Sequence, residues 1–225
     1  MSARILALDT TSEFGSVALA VGGETIEETL LHSPDGFGHL LFDAIARTLR
    51  RHGWKADSVD CFAAASGPGS FTGVRIGLSA VKGLAEALNR PAAAVSNLQA
   101  MALFSEAPLR ATLLDARRGE IYGAVYDESL AAVVEERVLK FRDWLAILPR
   151  EEFEFVAHEP ALFRPALAGT RFEQHPWRQA PRALAAAVAR IANRKLERGE
   201  VTDTAALDAN YVRRSDAELF WKDKS

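Results

Sequence analysis

A chain of 225 residues with 48% hydrophobic and 25% charged side chains has ordinary globular composition, enough for one large domain or two lobes of roughly 100 residues each. Its formal charge of −3 excludes the basic excess with which a free-standing nucleic-acid binder neutralises phosphates, so any role with RNA is expected to run through a partner. Its one cysteine, Cys61, excludes an intramolecular disulfide, and no apolar run has the length of a signal peptide or a membrane span; the expectation is a cytoplasmic protein with no membrane partner.

Residues 5–10 form a short apolar run ending in the turn cluster Asp9-Thr10-Thr11-Ser12. A second run, 16–21, meets the hairpin signal Gly22-Gly23, and 24–31 gives a third strand; strands joined by such tight turns are antiparallel neighbours. Over residues 39–52 the period changes to that of a helix, with Leu40, Leu41, Ala44, Ile45, Thr48 and Leu49 on one face. A buried strand at 59–66 leads through Gly67-Pro68-Gly69-Ser70-Phe71 into a long helix over 72–89, which Pro91 stops. A strand at 92–95 follows, and Ser96 caps a helix to about residue 106. After Ala107-Pro108 the pattern restarts with strands at 111–116, 120–126 and 133–140, a short helix at 141–148, a strand at 153–157 and a helix at 160–167. An alanine-rich helix over 181–198 ends at Gly199. A three-strand meander followed by helices, met twice, predicts an α/β protein of two related lobes with mixed sheets.

Asp9-Thr10-Thr11-Ser12 resembles the first phosphate-facing hairpin of the actin, sugar-kinase and Hsp70 superfamily, where a strand-end carboxylate orients metal or water; an Asx-type turn is the plainer reading. The loop 66–73 opens a helix but lacks the Lys-Ser/Thr of a P-loop and the Gly-x-Ser-x-Gly of a hydrolase elbow around Ser70. Each interior helical glycine costs about 0.8–1 kcal/mol against alanine. Gly73, Gly77, Ala80, Leu84 and Ala87 line up as a small-residue stripe, suited to a neighbouring helix within the fold or across a subunit interface. His32, His39, His52, His158 and His175 show no i, i+4 pairing, which points to surface or capping roles rather than metal ligation. Arg190, Arg194 and Arg198 share a helical face that Glu197 and Glu200 dilute, a solvated face rather than an RNA track.

SGPGSFTGVRIGLSAVKGLA (66–85) resembles the signature of the bacterial TsaB (YeaZ) family. LALDTTSEFGSVAL (6–19), LLDARRGEIYGAVYD (113–127) and NYVRRSDAELFW (210–221) are similar to that family's other marked segments, in the same order and across nearly the whole chain. The resemblance implies the two-lobed actin-like ATPase (ribonuclease H-like) fold. It also implies pairing with the related catalytic protein TsaD and, with the ATPase TsaE, support of threonylcarbamoyl transfer to the adenosine 3′ of the anticodon in tRNAs reading codons that begin with A. The catalytic relative carries a His-x-x-x-His metal pair after the strand that follows the long helix; Asn97 and Met101 stand in those places. An amide oxygen and a thioether do not replace two imidazoles for a divalent transition metal.

The resulting expectation is a non-catalytic scaffold with no cofactor, no metal and no catalytic residue, touching tRNA only indirectly. The first lobe is residues 1–106 completed by 205–225, and the second is 107–204. Asp9, Thr10 and Thr11, with Asp115 in the turn that corresponds to the superfamily's second phosphate hairpin, form a vestigial nucleotide site. Leu41, Ile45, Thr72, Gly73, Val74, Arg75, Gly77, Leu78, Ala80, Val81 and Leu84 form the surface for TsaD, or for a homodimer when the chain is alone. Family members often begin the first helix with His-x-Glu/Gln, whereas Phe37-Gly38-His39 stands here. The rival readings are a metallopeptidase, which needs metal ligands, and a small-molecule kinase of the same fold, which needs ATP turnover.

Overall fold

In the computed structural model, which describes residues 2–201 and 204–212, the chain divides into two compact units. Of the described residues, one unit is built from 2–100 together with 181–201 and 204–209, the other from Met101–Ala180 and 210–212.

In the first unit, strands β1 (Arg4–Asp9), β2 (Phe14–Val21), β3 (Glu24–His32), β4 (Cys61–Ala65) and β5 (Ala92–Val95) form a sheet in the order β3-β2-β1-β4-β5. The first three are antiparallel, because the two-residue turn at Gly22-Gly23, with φ of +59° and +82°, reverses the chain directly. Strands β4 and β5 join in parallel through the crossover helices α1 (Leu41–Arg51) and α2 (Phe71–Leu88). Helix α2 is bounded as its sequence predicts: Ser70 Oγ accepts the Gly73 amide, and Asn89 takes the left-handed conformation at the C-terminus. Leu6, Leu8, Val17, Leu19 and Phe62 on one face of the sheet meet the buried faces of α1 (Leu41, Ile45, Leu49) and α2 (Val74, Leu78, Val81) in one apolar cluster.

The opposite face is lined differently. Ala18, Ala7, Ala63 and Ala93 stand in register across four strands, a row of methyl groups. This face receives helix α5 (Ala185–Glu197), whose buried side includes Ala185, Ala189 and Ala192. The helix N-terminus is capped by the sheet itself: Ser16 Oγ accepts the Leu184 and Ala185 amides at 3.2 and 2.9 Å, and the Glu28 carboxylate accepts that of Ala186 at 2.9 Å. The alanine-rich helix, predicted within a second lobe spanning 107–204, therefore belongs to the first unit. Methyl-sized groups on both surfaces let its backbone come close to the sheet.

In the second unit, β6 (Leu109–Asp115), β7 (Glu120–Tyr126), β8 (Ala132–Lys140), β9 (Phe153–Ala157) and β10 (Trp177–Gln179) form a sheet in the order β10-β9-β6-β7-β8. The strand order and directions repeat those of the first unit, as the doubled meander predicts. The predicted helix at 160–167 is instead two 3-10 turns, Pro160–Leu162 and Arg164–Leu167, since Pro165 has no N–H to donate to a continuous helix. The core is aromatic: Phe155 is fully buried, and Trp144, Phe153, Phe172 and Trp177 pack around it. His175 packs into the same cluster, its ring 4.2 Å from that of Phe153 and its Nε2 buried without a hydrogen-bond partner, which replaces the surface or capping role expected for it.

Candidate functional site

The turn after β1 and the glycine loop before α2 are sewn together. Asp9 Oδ1 accepts the Thr11 amide at 2.9 Å and the Thr11 hydroxyl at 2.7 Å, the Asx-type turn of the plainer reading. Thr11 O accepts the Ser70 amide at 2.6 Å, and the Thr10 hydroxyl donates to Gly73 O at 2.7 Å. The glycines exist for this contact. A Cβ at Gly73 would overlap the Thr10 carbonyl oxygen, one at Gly77 would sit 2.6 Å from Thr10 Oγ1, and one at Gly69 2.5 Å from Thr11 O. The small-residue stripe on α2 thus begins against the β1–β2 turn rather than against a neighbouring helix. Burial pushes the Asp9 carboxyl above the ordinary aspartate range, against the lowering effect of the Thr11 hydrogen bonds.

Ser96 Oγ accepts the Leu98 amide at 3.1 Å and so starts α3 (Asn97–Ala102) where the sequence predicts. Asn97 is buried and both ends of its amide are engaged: Oδ1 accepts the Gly67 amide at 3.0 Å, and Nδ2 donates to Thr11 Oγ1 at 2.7 Å. Met101 is buried as well. Among the described residues no three His, Cys, Asp or Glu side chains cluster as metal ligands.

At the end of β6, the strand that occupies the place of β1 in the second unit, Asp115 Oδ1 accepts the Arg117 amide at 2.8 Å. The turn is of the same kind as that at Asp9, but Asp115 is exposed where Asp9 is buried.

Most residues predicted to meet a partner lie inside the first unit. Leu41, Ile45, Val74, Leu78, Ala80 and Val81 are core residues, and Gly73 and Gly77 are covered by Thr10. Thr72 and Arg75 are exposed and Leu84 is half-buried. The apolar periodicity that marks a helix marks the face it turns to its own sheet, so it selects core positions. The outward faces instead carry Phe42 on α1, 57% exposed, and Phe71 on α2, 44% exposed, with the Arg75 guanidinium 3.7 Å over the Phe71 ring. Gly83 is also exposed, and a Cβ there would meet nothing. Periodicity does not single out Phe71, which stands three and seven residues before the core residues Val74 and Leu78. The C-terminal segment reaches this unit: Leu207 joins its core, and Thr204 Oγ1 donates to Glu86 on α2 at 2.7 Å. Contrary to the expected completion of the first lobe by 205–225, residues 210–212, where the predicted motif begins, belong to the second unit; the part of the motif from 213 lies outside the described residues.

The family model described as TsaD, tRNA N6-adenosine threonylcarbamoyltransferase, matches residues 37–211. The tRNA threonylcarbamoyladenosine biosynthesis protein TsaB of Bacillus subtilis is 28% identical over 233 residues, covering 96% of this chain and 97% of that protein. The Escherichia coli protein of the same name is 37% identical over 127 residues, 55% of this chain and 54% of its own length. The structure of YeaZ from Pseudomonas aeruginosa superposes with a TM-score of 0.76 at 27% identity, covering 93% of this chain and 99% of that one. The fold is that of the actin-like, ribonuclease H-like ATPases, two mixed five-stranded sheets flanked by helices.

Proposed function

Because this chain belongs to the TsaD family and, within it, to the TsaB group, we propose that it is a non-catalytic subunit in tRNA threonylcarbamoyladenosine formation, acting by docking to a TsaD-type catalytic protein. The observation that carries the reading is the state of positions 97 and 101. The side chains standing where the catalytic relative has two histidines are both buried, and the Asn97 amide is spent on Gly67 and Thr11. The turn at Asp9 is likewise occupied by its own loop, which supports a phosphate hairpin retained for packing rather than for nucleotide.

Docking would use the outward faces of α1 and α2, centred on Phe42 and Phe71. Exposed aromatic side chains are the usual anchors of an interface core, and Gly83 would let a partner backbone approach α2. Without the catalytic subunit the same faces would pair two copies of this chain. A TsaE-type ATPase and tRNA would be engaged through the complex, in the cytoplasm.

The test is reconstitution of threonylcarbamoyl transfer on an unmodified substrate tRNA with the cognate TsaD and TsaE proteins and threonylcarbamoyl-adenylate, with and without this chain. Transfer that requires the chain and survives Asp9→Ala fits the proposal. Transfer that is equal without it rejects it.

A further inference from the structure

Strand β1 carries Asp9 at its C-terminal end and Arg4 at its N-terminal end, about 17 Å apart at the rise of an extended strand. At the Arg4 end the first unit has an open groove of about 690 Å³, within the size range of small-ligand sites. Val21, Ile26 and Trp54 give it apolar walls, and Ser2 and Ser58 give it hydroxyls.

Its charges are unevenly satisfied. Asp60 is held on both oxygens: Oδ2 accepts the Arg4 backbone amide at 2.9 Å, and Oδ1 faces Arg90 Nη1 at 3.7 Å. Arg90 also donates to Asp57 O at 2.9 Å, and His52 Nε2 lies 2.6 Å from the Glu27 carboxylate. The Arg4 guanidinium is different. It lies 5.0 Å over the Trp54 ring, and among the described residues no acceptor meets its N–H groups. The ring and the strand fix where this cation sits, while its forked donors stay available. Arg4 and Arg90 outnumber the one lining carboxylate, Asp60.

From this we infer a binding site for a small amphipathic anion, a single carboxylate or phosphate on an apolar or aromatic body. The anionic group would take the Arg4 fork, for which two parallel N–H···O bonds are the natural geometry, and the body would lie along Ile26 and Trp54. The groove lies at the opposite end of β1 from the Asp9 turn.

The probe is indole-3-acetate titrated into the ¹⁵N-labelled full-length chain, with indole-3-acetamide as the neutral isostere and phenyl phosphate as the second anion. Saturable shifts of the Trp54 indole and the Ser58 and Arg90 amides are expected with both anions. Affinity for indole-3-acetate should fall roughly ten- to a hundredfold in the acetamide and in Arg4→Met, the worth of a charge-assisted hydrogen-bonded contact. Arg4→Met keeps an unbranched stem beside Trp54, and Phe42→Ala should bind as the parent does. Equal binding of acid and amide, unchanged binding in a folded Arg4→Met, or shifts that never saturate would each overturn the site.

Discussion

Asn97 donates its side-chain amide to the Thr11 hydroxyl at 2.7 Å, and the same hydroxyl donates to Asp9 Oδ1, also at 2.7 Å. The turn after β1 is thereby tied to a residue 86 positions away. Asn97→Ala strands the buried Gly67 amide and removes the donor to Thr11, and is expected to lower unfolding free energy by about 1–3 kcal/mol. Urea titration followed by circular dichroism reads this directly; a midpoint unchanged from the parent would mean the link is not structural.

The glycines of α2 should divide by environment. Gly73→Ala and Gly77→Ala drive a methyl into Thr10, and should destabilise despite the helix propensity gained. Gly83→Ala meets nothing and should stabilise the isolated chain by up to roughly 1 kcal/mol. The same change should weaken association with the catalytic subunit if that partner packs closely there. Thermal melts of the three variants, with light scattering of the mixed proteins, separate the two effects.

Phe42→Ala removes an exposed ring, so its unfolding free energy should stay within about 0.5 kcal/mol of the parent, whereas Phe71→Ala also loses the Arg75 contact and should cost about 1 kcal/mol. As interface anchors each should cost about 2 kcal/mol or more in complex formation, roughly thirtyfold in Kd. Titration calorimetry with the cognate TsaD protein decides; affinity unchanged in both variants would remove these faces from the interface.

His175 sits among Phe153, Phe155 and Phe172, and burial, followed by the charge of Arg171, pushes its pKa below the ordinary 6.5. The folded state then binds its proton less readily than the unfolded state. Stability is at its full value above pH 6.5 and falls as acid titrates the unfolded histidine, the loss continuing down to the folded-state pKa. In His175→Phe the slope of stability against pH below 6.5 should flatten, as measured by urea midpoints across that range. A slope identical to the parent's would place the titrating group elsewhere.

The sequence by itself determined the elements and the repeat. Period-two and helical patterns, the Gly22-Gly23 turn and the Ser70 and Ser96 caps are local signals, and local signals fix local structure. The family motifs, and Asn97 and Met101 at the places where the resemblance implies two histidines, were equally legible in the linear order. Tertiary structure alone decided which sheet α5 covers, because the alanine row at Ala18, Ala7, Ala63 and Ala93 exists only once four strands are in register. It also decided which residues of α1 and α2 are outward. Apolar periodicity names the face a helix buries, and it does not separate the exposed Phe71 from Val74 and Leu78, three and seven residues on, which are core. The occupied state of the Asp9 turn was hidden for the same reason: Thr11, Ser70 and Asn97 are remote in sequence and meet only where β1, α2 and α3 converge.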